Sequence, residues 1–323
     1  MSVIVKNILV SGASGIVGYG ILRSLKKPEN QLRLIGTSIY GDSVAEGFCD
    51  IFEQAPLTNS DTYLAWLLQI IKKHSIDFVI PGIEADMYKW VNHIPEIAET
   101  GATILLNNTD LVLLCKDKWE FYQSLSEFKS PYVIESALVE DFDALAAQFG
   151  LPFLLKPRRG YGSKGIIIVE SKSIFLAHSH DLPGLIAQPI IGNADEEFTT
   201  SAFCDGKGGY YCYMTLRRKL SRDGFTEKAE VVTLEGIEGA LADLCSFYKP
   251  VGPTNFQFRK QDGVLKLLEI NPRISSSTSI RAAFGYNESQ MAVEYYLENK
   301  KPVQPLIRPG KAVRFVEDFI FYL

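Results

Sequence analysis

The chain has few of the features that mark a location, a disulfide scaffold or a metal cage. No apolar stretch reaches the roughly 20 residues a membrane-spanning helix needs, and Met1-Ser2-Val3-Ile4-Val5-Lys6 leads toward a strand without the zones of a secretory signal. A soluble, cytoplasmic protein with no membrane partner is therefore expected. Its five cysteines, Cys49, Cys115, Cys204, Cys212 and Cys245, are odd in number and form no CxxC pair, which excludes a disulfide framework or zinc ribbon and suits a reducing compartment. Of the four histidines, His178 and His180 stand two apart with no carboxylate or cysteine beside them, so they read as surface residues. Basic excess is also missing. With 33 Lys and Arg against 38 Asp and Glu, the net charge of −5 argues against nucleic acid, which demands a broad cationic face. No internal repeat or low-complexity segment interrupts the 323 residues.

What is present is apolar mass in periodic order. A 46% hydrophobic content over this length can bury two or three cores. Strand candidates at Ile8–Val10 and Leu32–Gly36 alternate with helix candidates at Ile16–Lys27 and Thr62–His74. Asp77-Phe78-Val79-Ile80-Pro81-Gly82 reads as a third buried strand, and Thr103–Leu106 ends the region near Asn107-Asn108. This alternation predicts a doubly wound parallel sheet. Its first strand opens into Gly12-Ala13-Ser14-Gly15-Ile16-Val17-Gly18, a GxxGxxG turn that in isolation suggests an NAD(P)-dependent reductase or epimerase. The next strand, Leu32–Thr37, ends without the acid a ribose would need, and no Tyr-x-x-x-Lys pair follows in the usual place. Glu84, after Pro81-Gly82-Ile83, lies at the carboxyl edge where such sheets bind ligands and is a candidate substrate contact; a helix-start acid accounts for it as well.

The most informative segment is Leu267-Leu268-Glu269-Ile270-Asn271-Pro272-Arg273. Strand alternation turns Glu269 and Asn271 to one face, and Arg273 follows just past Pro272, where the strand must end. Upstream, Thr254-Asn255-Phe256-Gln257-Phe258-Arg259 alternates too, and Asp262-Gly263 signals a hairpin turn. A loop with an odd residue count would set Gln257 across from Glu269, gathering three oxygen donors suited to Mg²⁺. A water-facing amphipathic hairpin gives the same alternation, so other segments must decide.

One such segment runs from Pro152 to Val169, two apolar runs flanking Lys156-Pro157-Arg158-Arg159-Gly160-Tyr161-Gly162-Ser163-Lys164-Gly165. Walker spacing is absent, and the loop leads into β-branched residues instead of a helix. Gly160, Gly162 and Gly165 would let backbone N–H groups approach a polyphosphate, while Lys156, Arg158, Arg159 and Lys164 supply charge. Four cations within nine residues repel one another unless an anion joins them.

Downstream, Leu185–Gly192 leads into the acidic strand start Glu196-Glu197-Phe198. Lysine at a helix start (Lys118), lysine before a glycine hairpin, a hinge, an acidic strand and Gln…Glu-x-Asn-Pro-Arg follow in one order. That layout resembles the ATP-grasp superfamily, and within it one synthetase unit of the carbamoyl-phosphate synthase large subunit. The resemblance spans most of the chain. It implies a Rossmann-like pre-ATP-grasp domain over residues 1–110 and a two-lobed α+β ATP-grasp domain over 111–323, with a lid about 125–186 and a metal-binding core about 187–323.

Carried over residue by residue, the resemblance implies phosphate contacts at Lys118 and Lys156, a lid from Gly160 to Gly165 that includes Gly162 and Ser163, and an ATP contact at Arg159 just before it. It implies adenine recognition at Gln188 and the Ile190 backbone, and a ribose acid at Glu197, with Glu196 a competitor because Asn193-Ala194-Asp195 lengthens the turn. Gln257, Glu269 and Asn271 would be the magnesium ligands, for two ions or for Mn²⁺ in their place, and Arg273 with Lys156 would face the transferred phosphate. The implied reaction moves a phosphoryl group from ATP to a small-molecule carboxylate, and an amine captures the acyl phosphate. One departure stands out: Ser276 replaces a second arginine expected three residues after Arg273, which argues against carbamoyl phosphate as product. A substrate carboxylate could instead meet Arg217, Arg218 or Lys219, although a solvated strand edge explains that run too. A non-catalytic ATP-binding regulatory protein and a homodimer both remain compatible with the sequence.

Overall fold

The computed structural model describes residues 5–160, 164–178 and 182–321. Five strands, β1 (Lys6–Val10), β2 (Leu32–Ser38), β3 (Ile51–Gln54), β4 (Phe78–Ile80) and β5 (Thr103–Ile104), form one parallel sheet in the order β3-β2-β1-β4-β5. Alternation buries both of its faces. Ile8 and Val10 join Ile21, Leu22 and Leu25 of helix Ile16–Leu25, whereas Leu9 and Val79 join Leu67, Ile70 and Ile71 of helix Tyr63–Lys73. This is the doubly wound α/β sheet expected from the sequence. Strand β3 was not anticipated, so Phe78–Ile80 is the fourth strand and not the third. It is a four-residue edge strand whose Glu53 faces Lys73 and His74, and so short and polar a segment carries no periodic signal.

An antiparallel sheet follows, β6 (Ala137–Leu138), β7 (Phe153–Pro157), β8 (Ile167–Val169) and β9 (Leu185–Pro189), in the order β6-β9-β7-β8. A second antiparallel sheet comprises β10 (Glu197–Asp205), β11 (Tyr210–Leu220), β12 (Thr226–Val231), β13 (Val251–Gln261), β14 (Val264–Asn271) and β15 (Lys311–Val313), in the order β14-β13-β10-β11-β12-β15. One face of it presents Phe198, Phe256, Phe258, Leu267 and Ile270 to helix Ile237–Tyr248. Phe256 and Phe258 are fully buried there, each contributing roughly 1.5–3 kcal/mol. The opposite face supplies Phe203, Met214 and Leu216 to a cluster shared with Ile280, Ala292 and Val293 and with Ile21 and Leu25 of the first helix. The N-terminal sheet and the six-stranded sheet are thus joined by common apolar packing. Among the described residues no helix is long and apolar enough to cross a membrane.

The β13–β14 hairpin closes differently from the expected odd loop. Asp262 and Gly263 form a two-residue turn, both at positive φ (51° and 79°), as tight hairpins require. Such a turn alone would oppose Gln257 to Leu268. A bulge supplies the missing residue: Phe258 pairs with Leu267, Leu268 is passed over, and Gln257 faces Glu269.

Candidate active site

The polar face of the six-stranded sheet is ordered by register. Thr199, Gln257 and Glu269 stand in one cross-strand row, and Ser201, Asn255 and Asn271 in the next. Three expected magnesium ligands, Gln257, Glu269 and Asn271, therefore share a face. Asn271 Nδ2 donates to Glu269 Oε1 at 2.9 Å, and Arg273 Nη2 reaches Asn271 Oδ1 at 3.4 Å. Among the described residues no group of three or more His, Cys, Asp or Glu gathers around a point. The hard donors are one carboxylate and two amide oxygens. That set fits magnesium held jointly with nucleotide phosphates, which needs only one or two protein carboxylates.

Lys156, on β7, lies against this row. Burial pushes its ammonium down to about 8, nearby Lys118 pushes the same way, and Glu269 opposes them. The Lys118 ammonium and the Glu269 carboxylate thus both lie near enough to Lys156 to act on its charge. Lys118 is held by its Nζ on Gly160 O at 3.0 Å and by its backbone N–H on Arg158 O at 2.9 Å, which ties the helix start to the glycine loop.

The loop cations are partly spoken for. Asp117, 2% exposed, caps helix Lys118–Glu127 through Trp119 N and Glu120 N, and it pairs with Arg158 at 2.8 Å and Arg159 at 3.3 Å. Burial raises its carboxyl, but the Arg158 hydrogen bond and charge and the helix N–H groups outweigh it and hold the pKa below the usual value. The anion expected to reconcile these arginines is therefore an internal one. Arg158 is committed to Asp117, whereas Arg159 remains two-thirds exposed at the loop. Asp117 was missed in the sequence, although Asp-x-x-Glu ahead of an apolar run is a capping signal. Gly160 and Gly165 take φ of +138° and +75°; Gly162 and Ser163 lie outside the described residues.

Other expected contacts are rearranged. Gln188, buried on β9, donates to Ser136 Oγ at 2.6 Å, and Ile190 is half-buried just beyond that strand. Glu197 is 3% exposed with both carboxylate oxygens engaged, Oε1 by Arg218 at 2.8 and 3.0 Å and Oε2 by Arg259 at 2.9 Å. In this arrangement it does not offer an oxygen to ribose, while Glu196 is exposed on the turn before it. Arg218 also donates to Gln257 Oε1, so it belongs to the ligand row. Arg217 does not: alternation turns it to the opposite, exposed side, where it pairs with Glu230. It faces away from the row that holds Gln257, Glu269 and Asn271. Glu84 begins helix Glu84–Trp90 and accepts from Arg273 Nε at 3.2 Å and Nη2 at 2.6 Å, both on Oε1, bringing the N-terminal sheet edge to the ligand row.

The N-terminal glycine turn is closely packed at its first and last glycines. A Cβ on Gly12 would lie 2.4 Å from Ile83, one on Gly18 2.4 Å from Gly12 O, and one on Gly82 2.1 Å from Ser11 O. These glycines let β1, β4 and the first helix cross closely, whereas a Cβ on Gly15 would meet nothing nearer than 3.3 Å.

Known proteins resemble this chain in sequence and in fold. The family model for "ATP-grasp in the biosynthetic pathway with Ter operon" matches residues 184–319. The arginine-specific carbamoyl phosphate synthase large chain of Geobacillus stearothermophilus is 25% identical over 308 residues, covering 85% of this chain and 28% of the relative. The Bacillus subtilis counterpart is 24% identical over 231 residues, covering 66% and 22%. The chain thus spans less than a third of the length of these curated relatives. Among solved structures, N5-carboxyaminoimidazole synthetase from Staphylococcus aureus with ADP superposes with a TM-score of 0.73 at 15% identity, over 94% of this chain and 80% of that one. The biotin carboxylase domain dimer of Hydrogenobacter thermophilus 2-oxoglutarate carboxylase, with MgADP, ADP and bicarbonate, gives 0.73 at 15% identity over 95% and 73%. Residues 184–319 thus match an ATP-grasp family model, and most of the chain is similar to part of the carbamoyl phosphate synthase large chain.

Proposed function

We propose that this protein is an ATP-dependent carboxylate–amine ligase. A substrate carboxylate oxygen attacks the γ-phosphorus of ATP and ADP departs. An amine then attacks the acyl carbon of the resulting acyl phosphate, releasing phosphate and a proton. The observation that carries this reading is the meeting of Lys118 and Lys156 with the Gln257–Glu269–Asn271 row, two ammonium groups beside a set of oxygen donors.

Phosphoryl transfer asks little of side chains as acids or bases and much of positioning and charge neutralisation. Lys118 and Lys156 would hold the phosphates, and Lys118 through Gly160 would register closure of the loop over them. Gln257, Glu269 and Asn271 would hold magnesium, which when bound supplies neutralisation of the nucleotide phosphates. Arg273, steadied by Glu84, would meet the transferred group and the acceptor carboxylate. Loop closure would keep water from the acyl phosphate. Gln188 and Ile190 would line the base. Carbamoyl phosphate is not proposed as product, because Ser276 stands where the second arginine would.

The test is isothermal titration of Mg-ATP into wild type and Glu269→Ala, with NAD⁺ and NADPH in parallel. Magnesium-dependent ATP binding that disappears in the variant supports the ligase site and opens a screen of carboxylates and amines for ADP release. Dinucleotide binding without ATP binding overturns it.

A further inference from the structure

Beneath the ligand row lies a polar cluster that the reaction as described does not use. Arg281 and Glu288 form an ion pair at 3.0 Å with both side chains fully buried. The Arg281 guanidinium donates to Thr199 Oγ1 at 3.0 Å, Asn255 Oδ1 at 2.7 Å and Ser275 Oγ at 2.8 Å, and Glu288 accepts from Ser201. These contacts are placed with respect to the site. Thr199 is the cross-strand neighbour of Gln257, Asn255 is the neighbour of Asn271, and Ser275 is two residues beyond Arg273. One guanidinium therefore grips β10, β13 and the loop after β14 together.

The cluster is also arranged for more than its own satisfaction. Asn255 Oδ1 accepts from Thr199 at 2.6 Å as well as from Arg281, so the amide is fixed in one orientation. Its Nδ2 and Arg281 Nε are buried without a partner among the described residues. A buried ion pair is weak evidence for stability, since apolar residues of similar volume replace such pairs at little or no cost. Supporting partners of metal ligands, in contrast, control affinity strongly.

We propose that Arg281, held by Glu288, is a positioning residue for the magnesium–nucleotide site. It sets the spacing of β10 and β13 under Gln257 and Asn271, locks the Asn255 amide, and fixes the loop that carries Arg273. The inference rests on the ATP-site reading above.

The experiment compares wild type, the double variant Arg281→Leu/Glu288→Leu and Arg281→Lys. Each is measured by thermal melting, by Mg-ATP titration and by ADP titration in chelator. The double variant removes both charges and is expected to melt near wild type. Its magnesium-dependent gain in nucleotide affinity should fall by about 10–100-fold, with magnesium-free ADP affinity unchanged. Arg281→Lys keeps a cation opposite Glu288 but loses the guanidinium fork, so it should show the same selective loss; it carries the comparison if the double variant does not fold. A folded variant that retains the full magnesium gain shows that the pair only holds the fold, and overturns the proposal. Wild type with no magnesium gain overturns the ATP-site reading itself, so the two failures are distinguishable.

Discussion

Two glycine turns in this chain have similar composition and opposite surroundings. At Gly12 and Gly18, and at Gly82 beside them, chain atoms fill the space the missing side chain leaves, with Ile83, Gly12 O and Ser11 O within 2.4 Å of a built Cβ, while Gly15 between them is less crowded. In the second loop Gly160 has its nearest such atom 4.0 Å away, on Pro157, whereas Gly165 at the other end meets the Pro157 ring at 2.9 Å. The first turn uses glycine to bring backbones together, and the second uses it to leave backbone uncovered beside Lys118 and Lys156. Glycine spacing alone does not tell the two apart; the atoms around each glycine do.

The strongest way to break this contrast is Gly82→Ala. Its Cβ would meet backbone that cannot yield, so destabilisation of about 3 kcal/mol is expected, seen as a lower melting temperature with unchanged Mg-ATP affinity in the folded fraction. Melting at the wild-type temperature would show that the N-terminal turn has slack. Next comes Glu269→Ala, for which the loss of magnesium-dependent ATP affinity should exceed the roughly 10-fold low end for a supporting partner, with no dinucleotide binding before or after; calorimetry reads both.

A pH titration probes the open side. Lys156 sits at about 8 against an ordinary 10.5. The unfolded chain therefore holds this proton more tightly than the folded one between those values, and stability rises with pH across that window. Phosphate binding needs the proton, so Mg-ATP affinity should weaken by up to about tenfold per unit above pH 8. Lys156→Met should abolish that slope; a slope that survives would assign it to another group. The smallest effect belongs to Gly160→Ala. No clash follows, and the φ of +138° adds strain of about 1 kcal/mol, read as weaker Mg-ATP binding at a nearly constant melting temperature.

Much of this arrangement was legible because it is local. Alternation turns Glu269 and Asn271 to one face whatever lies across from them, and the strand–loop–strand around Gly160 reads from apolar runs and glycines alone. Pairing was less legible. The Gln257–Glu269 row depends on a bulge at Leu268, which no residue type announces, and β3 is too short to carry a period. Arg217 and Arg218 are adjacent and chemically identical, yet one is exposed beside Glu230 and the other buried against Glu197 and Gln257. Arg281 and Glu288 gave no signal, since a helical Arg and Glu seven apart read as solvated surface until their burial is known.

The sequence by itself determined most of the alternation of strands and helices, the face shared by Glu269 and Asn271, and the residue types of the glycine loop. These follow from periods of two and 3.6 residues and from side-chain type. Only the tertiary structure decided which glycine turn is open, that Asp117 neutralises Arg158, that Glu84 reaches Arg273 from 189 residues away, and that a buried arginine ties three segments beneath the site. Those outcomes depend on which distant atoms occupy a given space, and no local pattern encodes that.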